Sequence, residues 1–212
     1  MSSCREYARL AGNTPPVLPM TRGPNISWLR RVRSGDNQTR FPACTCFALA
    51  NWLEVMDGDD ISDAEAVKVW DDKRRQLGRL PDSGLMVPEA FDGAIEAGWF
   101  KPTSRIVAKR NVADVMARQP VIAVFGITKG WSNPKPENGC LDHSDEANAV
   151  IDGYHCVLLP GILVDLHGTV IPDGPWVQIE QSWGGDHGYK GLVTLNNRLF
   201  TQQCCEIWEI IR

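Results

Sequence analysis

The feature that most constrains the fold is a change of periodicity partway along the chain. Up to about residue 118, apolar residues recur at helical spacing; beyond it they gather in short runs rich in Val, Ile and aromatics, separated by turn residues. Thr45 to Met56 places Phe47, Leu49, Ala50, Leu53 and Met56 on a helical repeat that stops at Gly58. Ser62-Asp63-Ala64-Glu65 has the form of a capping box and predicts a helix running to about Leu77, before Gly78. A third helix is expected after Pro88, ending at Gly98, and a short fourth over Val112 to Arg118. Strands are expected at Pro120 to Ile127, Tyr154 to Val164, Trp176 to Ser182, Leu192 to Asn196 and Glu206 to Ile211. Thr128 to Asn148, with two prolines and several acids, reads as a long loop. A helical half followed by a strand half predicts an α+β protein of two lobes, with a cleft where they meet.

Composition narrows the classes of partner. The 212 residues suit one large domain or two small lobes. A net charge of -4 with mixed signs throughout argues against a nucleic-acid groove or an anionic membrane as partner. The first residues hold no apolar h-region, and no later segment approaches the roughly 18 apolar residues of a membrane span. The expectation is a soluble chain, cytoplasmic or exported by a non-classical route. Seven irregularly spaced cysteines fit reduced thiols better than a disulfide framework. The sequons Asn25-Ile26-Ser27 and Asn37-Gln38-Thr39 are then unused, and oligomeric state has no signature.

A thiol is a useful nucleophile only as the thiolate, which the positive end of a helix or an adjacent imidazole generates at neutral pH. Cys44 lies at the first turn of the expected Thr45 to Met56 helix, and Cys46 lies deeper in it. Buried cysteines are commonly small core hydrophobes, so position alone leaves both roles open. A metal clip fits poorly, because Cys44-Thr45-Cys46 has one intervening residue where structural zinc sites have two to four. Of the histidines, His143 lies in an acidic loop and His167 in a Gly-flanked turn, both solvated. His155 opens an apolar strand, where it is either a core histidine or one aimed at a cleft.

Gln38, five residues, then Cys44 followed by TCFALA resembles the papain-like cysteine peptidases, particularly a bacterial-type version without a long pro-domain. GYHCVLLPGI resembles the segment that carries that family's catalytic histidine, and IEQSWGGDHGYKGLVTL its Asn-Ser-Trp-Gly segment. RQPVIAVFGI and DSGLMVPEAF are similar to the strand before the histidine loop and to the stretch lining the substrate cleft. The similarity covers roughly Ser34 to Arg212. It implies a papain-like two-lobe fold: an extension over 1-33, a helical lobe over about 34-118, and an antiparallel β lobe over about 119-212.

The resemblance also implies roles. Cys44 becomes the nucleophile, His155 the general base and acid, and Gln38 an oxyanion donor together with the Cys44 backbone N–H. Gln181 stands where the family has Asn to hold the histidine, and Trp183 shields that pair from water. Ser83, Gly84, Leu85 and Met86 line the cleft, with Cys156 at its floor. The implied substrate is a peptide or protein, without cofactor or metal. Three departures stand out. Gln181 is one methylene too long, the spacing from Cys44 to His155 is shorter than the roughly 130 residues usual in the family, and Pro42-Ala43 replaces a Gly-Ser pair. The same scaffold supports an amidase, deconjugase or acyltransferase, and Gln181 leaves room for a non-catalytic binding module.

Overall fold

The helical layer is built around α1 (Cys44–Asp57), whose residues from Thr45 to Val55 are all buried. Small or apolar side chains on nearly every face let it sit between the other helices and a sheet. Gly58 ends it at φ 77, with its N–H on the Glu54 carbonyl at 2.9 Å. In this computed structural model the described residues are 16, 26–28, 37–132, 134, 150–163, 165–166, 169–170 and 175–212.

The capping box at Ser62 forms as expected and starts α2 (Asp63–Gln76): Ser62 Oγ accepts from the Glu65 N–H, and Glu65 Oε2 from the Ser62 N–H. Helix α3 (Val87–Glu96) carries Pro88 in its first turn, and the Glu89 carboxylate accepts the Met86 N–H at 2.7 Å. Arg79 completes this corner by pairing with Glu89 and donating to the Gly84 carbonyl at 2.7 Å. The segment leading into α3 is thereby held in place.

The remaining elements are β1 (Ile26–Ser27), β2 (Arg105–Lys109), α4 (Val112–Met116), β3 (Val121–Ile127), β4 (Gly153–Leu163), β5 (Asp165–Leu166), β6 (Thr169–Val170), β7 (Trp176–Glu180), β8 (Leu192–Asn196), α5 (Asn197–Gln203) and β9 (Cys204–Ile211). The main sheet is antiparallel in the order β2-β9-β3-β4-β7-β8, with β1 added to β4, while β5 and β6 form a separate hairpin. Side chains alternate across it. Ile122 and Val124 of β3, with Cys156 and Leu158 of β4, join the core shared with α1 to α3. Val121, Ala123 and Phe125, with Val157 and Leu159, join a second core with α4 and α5 on the opposite face. At Gly161, β4 passes against Gln178 of β7 while the Ile26 carbonyl of β1 lies 3.3 Å from where a Cβ would stand.

The α+β architecture expected from periodicity is observed. Strands β1, β2, β5 and β6 and helix α5 were not expected, because they are short or lie at edges where one face is solvated and alternation is weak. The expected loop over Thr128 to Asn148 begins with a single turn at Lys129–Ser132, and most of the rest lies outside the described residues. The expectation of wholly reduced thiols is corrected. Cys44, Cys46, Cys156 and Cys204 are free, whereas Cys205 is disulfide-bonded. Proximity in the fold, which sequence spacing does not reveal, selects disulfide partners. No helix among the described residues is long and apolar enough to cross a membrane.

Candidate active site

Cys44 is the first residue of α1 and is half-buried, whereas the eleven residues after it are closed off from solvent. The preceding Ala43 supplies no side-chain cap, so the positive end of the helix is turned on the Cys44 thiol itself. Cys44 Sγ accepts the backbone N–H of Cys156 at 3.4 Å, which sets the start of α1 against the start of β4. Burial pushes the Cys44 thiol up, while the backbone donors of Cys156, Thr45 and Cys44 itself pull it back. Cys46 is fully buried, and burial followed by the neighbouring Cys44 charge raises its thiol. The two cysteines left open by sequence position therefore separate: Cys44 faces a cleft, and Cys46 is core.

His155 lies near the start of β4, paired across the ladder with Phe125, and is 3% exposed. Its ring stacks on Trp183 with centroids 4.6 Å apart and planes 27° apart. Burial, followed by the charge of His187, holds its imidazole down to about 3. Gln38 is tied to the segment carrying Trp183. Its N–H donates to the Ser182 carbonyl at 2.8 Å, and its side-chain oxygen accepts from Ser182 Oγ at 2.5 Å. With that oxygen engaged, the NH₂ end of the amide is the part of Gln38 available to donate to a ligand. The following Thr39 has φ 52, in the left-handed region, and its N–H is taken by Asn37 Oδ1 at 2.8 Å.

The expected hydrogen bond between His155 and Gln181 is not formed. Gln181 is 2% exposed, yet neither atom of its amide has a partner, and His155 Nε2 has none either. The longer side chain adds a torsion that an Asn lacks, and in this arrangement its amide does not meet the ring nitrogen.

Cys44 and His155 share a cleft of about 220 Å³. Gly84, Leu85, Met86 and Cys156 line it as expected, joined by Thr45, Val87, Val124 and Tyr154. Ser83 and Trp183 do not line it. Ser83 is turned into the α2 corner, where its carbonyl accepts Trp70 Nε1 at 3.0 Å, and Trp183 lies behind His155. Among the described residues no cluster of His, Cys, Asp and Glu is placed to hold a metal ion.

No family model and no curated protein matches the chain by sequence. Solved structures match it by shape. Xylellain, a cysteine protease from Xylella fastidiosa, aligns with a TM-score of 0.65 over 91% of this chain and 88% of its own, at 16% identity. The bromelain protease from Ananas comosus, solved with the inhibitor E64, aligns at 0.60 over 89% and 99%, with 15% identity. A structure concerned with the mite allergens Blo t 1 and Der p 1 aligns at 0.59 over 91% and 72%, with 18% identity. The fold is papain-like.

A papain-like fold assembles its cleft from elements distant in sequence, as this chain does with α1, the turn before α3, and β4. Sequence reading missed Thr45, Val87, Val124 and Tyr154 in the cleft and, outside its lining, His187. Val124 was recoverable, because its register opposite Cys156 places both on one sheet face. Thr45 and Tyr154 adjoin named residues, but their lining role needs the backbone path. His187 had no spacing signal and is found only because its ring meets Trp183 edge-on at 4.9 Å.

Proposed function

We propose that the chain is a cysteine peptidase that hydrolyses peptide bonds through a thioester, with Cys44 as nucleophile and His155 as general base and then acid. The observation that supports this most is the half-buried Cys44 at an uncapped helix start, facing the same cleft as the only histidine that lines it among the described residues.

Burial favours the neutral thiol and the neutral imidazole, so charge separation is best made as substrate arrives. His155 takes the thiol proton as sulfur bonds to the scissile carbonyl carbon. The oxygen then becomes an oxyanion, received by the Gln38 NH₂ and the Cys44 backbone N–H; one such donor is worth about 3 kcal/mol of barrier. The imidazolium protonates the leaving amine as the C–N bond breaks. Water, deprotonated by His155, attacks the thioester, releasing the acid product and restoring the thiol.

Gly84, Leu85, Met86 and Val87 give one cleft wall an apolar surface, which suits an apolar substrate side chain. One observation favours a second reading, a non-catalytic binding module: Gln181 makes no bond to the histidine. Mass-spectrometric mapping after iodoacetamide or an epoxysuccinyl probe separates the two. Selective labelling of Cys44, with turnover of a peptide library abolished by Cys44→Ala, supports the peptidase. Labelling spread evenly over the thiols, without turnover, rejects it. Release of isopeptide-linked groups in preference to peptides would move the assignment to a deconjugase.

A further inference from the structure

With Gln181 unbonded, something else must fix the ring of His155, and the surroundings of Trp183 supply it. His187 lies on a tight turn: its N–H bonds to the Gly184 carbonyl at 3.1 Å, and its carbonyl receives the Gly191 N–H at 3.1 Å. Gly188 follows at φ +64 with the Leu192 carbonyl where a Cβ would stand, so the turn has little freedom. The His187 ring meets Trp183 edge-on, with planes at 80°, and its Nε2 is buried without a partner. Burial lowers its basicity, partly offset by a hydrogen bond to the backbone of Trp131. Trp131 is itself immobilised, fully buried with Nε1 on Gln203 Oε1 at 2.8 Å and its ring 5.4 Å from that of Phe125. Phe125 is the residue paired with His155 across β3 and β4. The links therefore close on themselves: ring contacts join His155 to Trp183, Trp183 to His187 and Trp131 to Phe125, a hydrogen bond joins His187 to the Trp131 backbone, and the ladder pairs Phe125 with His155.

We propose that His187 is a positioning residue for His155, holding Trp183 against the imidazole and so orienting it in place of the hydrogen bond Gln181 does not make. This rests on reading Cys44 and His155 as the reacting pair. His187 touches neither substrate nor thiol; it acts through Trp183. It also adds a charge of the same sign as the imidazolium, so its protonation opposes the catalytic ion pair. The other charged groups on the elements meeting His187 are Asp186 and Lys190 on its own turn and Lys129 beside Trp131, all exposed to water that screens them.

The test compares His187→Gln, which removes ring and charge, with His187→Phe, which keeps a ring against Trp183 and removes the charge and the hydrogen bond to Trp131. His187→Gln should lower kcat about tenfold or more with KM nearly unchanged, because catalysis is sensitive to small displacements of a reacting group. His187→Phe should recover most of that loss. In both, the acid limb of kcat/KM should move to higher pH, since without the opposing charge His155 protonates more readily, a change that lost packing alone would not produce. Wild-type kcat and an unmoved acid limb in His187→Gln would overturn the proposal. If that variant fails to fold, the wild-type ring resonances of His155 decide: a titration in two steps, one tracking His187, is expected, and a single independent step overturns it. An unreactive Cys44 in the wild-type chain would sink the peptidase reading instead, while the ring titration would still judge the clamp.

Discussion

Ser182 holds Gln38 at two points, receiving its backbone N–H and donating a hydroxyl to its side-chain oxygen at 2.5 Å. The bond fixes which end of the amide is free. Ser182→Ala should leave the Gln38 amide, the proposed oxyanion donor, free to rotate. A neutral hydrogen bond of about 1 kcal/mol corresponds to a fall in kcat of about fivefold. Steady-state kinetics should show KM little changed, and an unaltered kcat would mean the Gln38 amide is oriented by other contacts.

Stability should depend on pH in the direction set by the buried histidines. The folded imidazole of His155 is held down to about 3, from 6.5 in the unfolded chain, and that of His187 is also lowered. The unfolded state therefore binds protons first. Folding stability is fully present above about pH 6.5 and declines as pH falls from there toward 3. Thermal melts across that window should show Tm dropping, with a shallower slope in His155→Gln.

Gly161→Ala should destabilise the chain without touching the chemistry. A Cβ there forces the buried end of the Gln178 side chain to turn away and stands 3.3 Å from the Ile26 carbonyl, so β1 must also give slightly. The cost expected for such overpacking is about 1 to 3 kcal/mol. Urea denaturation should register it, while activity per folded molecule stays the same.

Leu85 is 7% exposed and lines the cleft opposite β4. Leu85→Glu should depress cleavage of substrates with an apolar residue at that subsite by about tenfold or more, the scale of burying an unpaired charge. Labelling of Cys44 by iodoacetamide, which occupies no subsite, should change little. Equal effects on both would place the subsite elsewhere.

Helix α1 and the Ser62 capping box were legible because their signals are local: a repeat, a stop glycine and a reciprocal pair three residues apart. Strands β3, β4 and β8 were legible for the same reason. The thiol that faces the cleft is distinguished from its neighbour by burial, a property of packing; before folding, only the family resemblance chose between them. Gln181 shows the opposite limit. Its place was read from sequence, but whether its amide reaches the ring depends on about one bond length. The circuit through His187 joins residues from three separate stretches, 125 to 131, 155 and 183 to 187, and no spacing rule connects them.

Arg79 pairs with Glu89 at the start of α3 while donating to the carbonyl of Gly84. Residues 80 to 82 are exposed outside that tether, with Leu80 69% exposed. The cleft wall is fixed from behind, independently of the turn that leads to it. That turn is the place where a new sequence, a tag or a longer loop can be grafted while the wall keeps its shape.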